Sequence, residues 1–283
     1  DECVLMEEFM PASIVKAMGL RHNPVASVPL LFATFIDQNL PLYYLDAAEN
    51  YGVSSDTCSL PSSTAGLALA DDLIKDGAFC AVVSNIPCDG GMKASHIIEK
   101  RMDMPTHIVE VPLRYDEPWA KDLMVHELKG MIKFLEEQSG RKLDWDKLRE
   151  FCEMYNKHAE YELERWEINR TDYPQVTGSV PWLWRAYNYQ LAPSSPILLK
   201  AEEKASKLIR KGYKNKKVSI QNPRYRAVVW GAYANFDAGF ARWLENAWGI
   251  CVLIDFERYT SVDLIDTSTR ETMLKGIAKH YVE

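Results

Sequence analysis

The run Ala78-Phe79-Cys80-Ala81-Val82-Val83-Ser84 constrains the fold more than any other stretch of this chain. It is short, apolar and β-branched, the pattern of a strand buried on both faces. A helical pattern from about Thr64 to Lys75 precedes it. After it come a cysteine-bearing loop, a helical pattern from about Met92 to Arg101, and a second strand candidate at Thr106–Val111. Strand, helix, strand in that order demands a crossover, and a crossover joins parallel strands. The beginning of the chain, residues 1–117, therefore reads as an α/β domain.

From Pro118 to Ser139 the apolar positions Leu123, Leu128, Ile132 and Leu135 recur at helical spacing, and Gly140 follows as a helix stop. Asp144 then reads as the N-cap of a second long helix reaching about Asn169, with Leu148, Phe151, Cys152 and Tyr155 on one stripe. Thr171–Pro196 is rich in Pro, Ser, Trp and Tyr and takes no clear assignment. Arg226–Trp230 and Ile250–Asp255 again read as buried strands, flanking a helix from about Phe236 to Ala247. The expected fold class is α/β, with two parallel-sheet domains of Rossmann or flavodoxin-like type. A helical insertion over 118–215 separates them, and the second domain, over 216–283, looks cut short for a doubly wound unit. The chain starts at Asp1 without a methionine and stops just after a helix, so we expect a piece of something longer.

Composition narrows the function. Thirty-three basic against forty acidic residues give a net charge of −7, which leaves no extended positive surface for a nucleic-acid backbone. No stretch approaches the roughly 18 apolar residues of a membrane helix. The expected protein is soluble and cytoplasmic, with neither a nucleic-acid nor a membrane partner.

Six cysteines are scattered through a chain with ample apolar residues, so reduced thiols are the default. Cys80 and Cys251 lie inside strand runs and Cys152 on an apolar helical stripe; these read as core. Cys58, in Thr57-Cys58-Ser59-Leu60-Pro61, and Cys88, in Asn85-Ile86-Pro87-Cys88-Asp89-Gly90-Gly91, differ, because each sits where a loop runs into a helix. A helix start offers unpaired N–H groups and a positive dipole end, which favour thiolate and can hydrogen-bond cluster sulfides. Cys88 also follows a strand by four residues, at the carboxyl edge where open α/β sheets bind ligands. Local pattern leaves both a ligand thiol and an inert loop cysteine open there, and Cys58 taken alone reads as structural. Their separation of thirty residues matches no compact zinc or ferredoxin spacing.

His96, His126 and His158 fall on helical patterns and read as surface or capping groups. Trp182, Trp184, Tyr187 and Tyr189 read as a packed aromatic cluster or pocket lining. No Gly-x-Gly-x-x-Gly or Walker sequence supports nucleotide binding.

Cys58-Ser59-Leu60-Pro61 with Gly66, then Asn85-Ile86-Pro87-Cys88-Asp89 with Lys93, resembles the 2-hydroxyacyl-CoA dehydratase and benzoyl-CoA reductase subunit family. Pro105–Pro112 looks like that family's strand ending in proline. Leu135–Leu143 is similar to its helix-to-helix junction, and Asn156 falls where its next helix carries an asparagine. The resemblance covers roughly residues 10–283 and is strongest over 50–160.

The resemblance implies two α/β domains around a [4Fe–4S] cluster held by three cysteines, with Cys58 and Cys88 matching the two from the first domain. A counterpart of the third is absent before Glu283, since Cys251 sits inside an earlier strand. Truncation is the favoured explanation; loss of the site is the other. Three protein ligands would leave one iron open to act as Lewis acid and electron donor. The resemblance also implies a heterodimer with a second homologous subunit and an ATP-dependent iron–sulfur activator protein that supplies one electron. An (R)-2-hydroxyacyl-CoA then loses water through a ketyl radical to give an enoyl-CoA. The alternatives are ATP-dependent reduction of an aromatic acyl-CoA in the benzoyl-CoA reductase branch, and a non-catalytic electron-relay or scaffold subunit. The plainest rival is a two-domain α/β ligand-binding protein without metal.

Overall fold

The computed structural model describes residues 3–7, 9–71, 78–86, 88–178, 180, 184, 187, 192–230, 239–255 and 262–282. They divide into two compact units, residues 1–149 with 268–283 and residues 150–267.

The first unit is built on a four-stranded, wholly parallel sheet in the order β2-β1-β3-β4. Its strands are β1 (Cys3–Met6), β2 (Arg21–Pro24), β3 (Ala78–Ser84) and β4 (Thr106–Val109). Helix α1 (Ala12–Ala17) links β1 to β2. Helices α2 (Ser27–Phe35), α3 (Leu40–Tyr51) and α4 (Ser59–Leu69) lie between β2 and β3, and α5 (Asp89–Met102) crosses from β3 to β4. The parallel α/β architecture expected from residues 78–111 is present.

Three details differ from the sequence reading. Helix α4 starts at Ser59 and α5 at Asp89, each directly after its cysteine rather than a turn or more later. The strand at Thr106 stops at Val109. The sheet also gains β1 and β2, which periodicity could not mark because both are only four residues long and β2, Arg-His-Asn-Pro, has no apolar pattern. Residues 72–77, where the expected helix ended, lie outside the described residues.

One face of the sheet is covered by a core of Leu5, Val25, Tyr44, Leu67, Ala68, Ala81 and Ile98. Against β3 and β4 packs α6 (Ala120–Ser139), which buries Met124, Leu128, Met131 and Leu135 and ends at Gly140 in the left-handed region, φ 70°, as its sequence predicts. In the junction that follows, Glu136 accepts from Lys142 Nζ at 2.6 Å and from the Leu143 N–H at 3.2 Å, and Arg141 donates to the Gly19 carbonyl at 2.7 Å. These bonds hold the Glu136 carboxyl below its ordinary range, the Lys142 hydrogen bond most of all. Helix α7 (Trp145–Asn169) opens with the Asp144 Oδ1 cap on the N–H groups of Asp146 and Lys147, at 3.0 and 2.9 Å. Leu148, Phe151 and Cys152 on its stripe are buried. The closing helix of the chain, which becomes α10 in chain order, spans Arg270–Val282 and packs on α6; Lys129 meets Glu271 at 3.1 Å.

In the second unit α8 (Pro196–Lys214) precedes a parallel pair, β5 (Tyr225–Val229) and β6 (Ile250–Asp255), with α9 (Phe240–Trp248) packed on β6. Both strands fall where the sequence put them, while 231–238, which include the expected start of the helix, lie outside the described residues. Asn156 closes two 2.8 Å bonds on the backbone N–H and carbonyl of Ile265, which accounts for an asparagine at that helical position.

His158 is a correction. Far from lying on the surface, it is 1% exposed, and its Nδ1 pairs with Glu202, itself fully buried on α8. Arg165 bridges Glu202 and Glu162, and its guanidinium lies 5.3 Å from the Trp184 ring centroid. Charge, not apolar periodicity, buries this part of α7. Trp182 and Tyr189 lie outside the described residues, and Tyr187 is exposed.

Candidate metal and substrate site at the sheet edge

Strand β2 is laid down on one side of β1, and β3 and β4 on the other. The chain's path therefore reverses between β1 and β3, and the carboxyl ends of those two strands flank the crevice where open α/β sheets take ligands. Glu7 follows β1, and Ser84 ends β3. The Ser84 hydroxyl lies 3.1 Å from Glu7 Oε2, which also accepts the Phe9 N–H at 3.1 Å. Both residues are buried.

From this edge the chain runs through Asn85 and Ile86 to Cys88, the N-cap of α5. Asn85 fixes the exit: its Nδ2 donates to the Val111 carbonyl and its Oδ1 accepts the Val111 N–H, each at 2.8 Å. One side chain thus continues the ladder between β3 and β4 beyond its last backbone pair. Asn85→Ala is expected to lose about 2 kcal/mol, from two bonds of roughly 1 kcal/mol each. Urea unfolding checks it, and an unchanged midpoint would show that the clamp contributes nothing.

Cys58 is the N-cap of α4. Neither Cys58 nor Cys88 caps its helix through the side chain, so both thiols remain available. Pro61, in the first turn of α4, has no N–H to satisfy. Gly90 brings the two junctions together. A Cβ there would lie 2.9 Å from Pro61 Cγ, 3.3 Å from Thr57 Cγ2 and 3.6 Å from Cys88 Sγ. The first turn of α5 therefore rests on the chain just before and just after Cys58, and only glycine leaves space at that contact. Thirty residues of separation become a shared corner of the sheet edge.

The other four thiols have the opposite environment. Burial pushes Cys80 and Cys152 up to about 12, and raises Cys3 and Cys251 as well. All six cysteines are free, and only Cys58 and Cys88 are exposed. A metal needs thiols that it can reach, and the two cysteines that sequence singled out are the two with exposed side chains. Ser62, one turn beyond Cys58, holds a buried hydroxyl with no hydrogen-bond partner among the described residues. A corner with two open thiols, two helix N-termini and an unpaired buried hydroxyl fits a sulfur-rich anionic cluster. Among the described residues no group of three or more His, Cys, Asp or Glu side chains forms a metal site, so the corner offers two ligands of the three expected.

Sequence reasoning missed Glu7 and Ser84. The one signal for Glu7 was an acidic residue directly after the apolar Val4-Leu5-Met6. For Ser84 it was a polar end to an otherwise apolar strand.

An open parallel sheet with an exposed thiol in the loop after β3 defines an α/β protein of the class whose ligands, where present, sit at the carboxyl edge. The family model of the 2-hydroxyglutaryl-CoA dehydratase D-component matches residues 8–283, and the chain belongs to that family. It is thus a subunit of the 2-hydroxyacyl-CoA dehydratase type, a hydro-lyase component that works with a partner subunit. Comparison with curated proteins gives no match. No helix among the described residues is long and apolar enough to cross a membrane.

Proposed function

We propose that Cys58 and Cys88 supply two of the thiolates that hold a [4Fe–4S] cluster, and that the subunit takes part in radical removal of water from an (R)-2-hydroxyacyl-CoA. In this reading it works in the cytoplasm as a heterodimer with a homologous subunit, after one-electron activation by an ATP-dependent iron–sulfur protein. The observation that supports it is the Gly90 contact, which sets the Cys88 turn against the residues flanking Cys58. The cluster, when bound, supplies a one-electron donor and a Lewis-acidic iron.

The chain's own residues prepare that corner. The N-termini of α4 and α5 present backbone N–H groups and positive dipole ends to the same region, which stabilises the added negative charge of thiolates and sulfides. The Glu7–Ser84 contact and the Asn85 clamp fix the strand end from which the Cys88 loop departs. The buried thiols, held protonated, do not compete for iron.

Anaerobic iron and sulfide analysis with EPR tests the reading on the full-length protein. About four irons per subunit in wild type, the content of one such cluster, with loss of the EPR signal in both Cys58→Ala and Cys88→Ala, is the expected result. Wild type without iron in every anaerobic preparation, or variants that keep a full cluster, would overturn it.

A further inference from the structure

A trough runs along α5 away from the cysteine corner. Its main hollow, about 630 Å³, has Val53 on one wall, Val83 and Ile108 on the sheet, and Met92, Lys93 and Lys100 on α5. That volume lies within the ~300–1,000 Å³ of small-molecule sites. A second hollow of about 540 Å³ continues it past Lys100, lined by Asn50, Leu69 and Arg101. The two share Tyr51, Ile97 and Lys100.

Charge separates the ends of this trough from its middle. Lys93, Ile97 and Lys100 follow one another at helical spacing, so cations stand about 10 Å apart with an apolar residue between them. His96 is paired with Glu99 at 3.2 Å and Arg101 with Asp71 at 2.8 Å, whereas neither Lys93 nor Lys100 has an ion-pair partner among the described residues. Glu99 also lines the main hollow, but its carboxylate is engaged by His96, so in a chain of net charge −7 two lysines without an ion-pair partner among the described residues suit a ligand that carries its own anions.

We infer that this trough binds the CoA portion of the acyl-CoA substrate. The pantetheine arm lies over Val83, Ile97 and Ile108, and the phosphates lie towards Lys100. The Ser84 and Met92 end adjoins the first turn of α5, so an arm laid in this direction delivers its thioester to the Cys88 corner. The inference rests on the acyl-CoA reading of the proposed function, and it requires no iron.

Calorimetric titration of the full-length protein with CoA and with pantetheine, in iron-loaded and iron-free form, tests it. CoA is expected to bind both forms. Lys100→Glu should weaken CoA by about tenfold or more, through loss of a charge-assisted contact, and leave pantetheine unchanged. Ile97→Trp, which fills the trough, should weaken both ligands. Lys100 is exposed, so Lys100→Glu reports on binding even if Ile97→Trp folds poorly. Failure of wild type to bind CoA, or undiminished CoA affinity in Lys100→Glu, would overturn the assignment. Iron content read on the same samples separates the two ideas. Iron present without CoA binding sinks the trough alone, while Lys100-dependent CoA binding with no iron in any preparation sinks the cluster alone.

Discussion

Gly66→Ala is expected to destabilise the first unit by roughly 3 kcal/mol or more, as overpacking against rigid backbone does. Helices α3 and α4 cross so closely that a Cβ on residue 66 would lie 1.7 Å from the Tyr44 carbonyl oxygen and 2.5 Å from its carbon. To reach ordinary contact at 3.4 Å the first separation must double, and the obstacle is backbone that cannot rotate away. Tyr44 and Leu67 belong to the core on this face of the sheet, so separating the helices opens that core as well. Thermal unfolding should show a fall in Tm of about 10 °C for a unit of this size. An unchanged Tm would mean that the helices part at little cost. Because Cys58 is the N-cap of α4, the proposed cluster reading predicts that the same variant also holds less iron than wild type, although both cysteines are intact.

That prediction shows which features were legible in the sequence. Strand β3 was readable because seven consecutive residues, all small or β-branched except Phe79, admit few other environments, and the position of Cys88 followed from counting past its end. The three buried cysteines were readable too, Cys80 and Cys251 from apolar strand runs and Cys152 from an apolar helical stripe, whereas the half-buried Cys3 gave no reading until β1 placed it. What could not be read was adjacency. Nothing local in Gly90 says that Pro61 and Thr57 lie against it, because that contact is made by the direct packing of α4 on α5, which β3 separates in sequence. The role of Gly66 was hidden for the same reason, since helical propensity alone makes a mid-helix glycine a weakness and not a contact point.

Short strands posed a different difficulty. In β1 only three apolar residues precede Glu7, and in β2 hydrogen bonding to β1 along the sheet edge holds a segment with no hydrophobic signature. Without those two strands the reversal of direction at β1 is invisible, and with it the reason the Cys88 loop leaves the sheet at its switch point. The starts of α4 and α5 were placed too late because periodicity marks a helix from its first buried stripe. Capping geometry begins a turn or more before that.

The second large effect is expected in the other unit. Glu202→Ala should cost about 3–5 kcal/mol, the range for breaking a buried ion pair by removing one partner. Glu202 is fully buried and is shared by His158 and Arg165, which are 1% and 5% exposed. Removing its carboxylate leaves the Arg165 guanidinium with Glu162 at 2.9 Å and strips His158 Nδ1 of that acceptor, in a place water does not reach. Glu202→Gln keeps the volume and the hydrogen-bonding oxygen but not the charge, so it should fall between alanine and wild type. By contrast, replacing Glu203 one residue on, exposed and paired with Lys207 at 2.8 Å, should leave the unfolding midpoint essentially unchanged, because water and salt screen such a pair. Chemical unfolding of the three variants decides between charge and packing. Equal losses for alanine and glutamine would assign the effect to the missing charge, and a glutamine variant as stable as wild type would show that a neutral hydrogen bond suffices to tie α7 to α8.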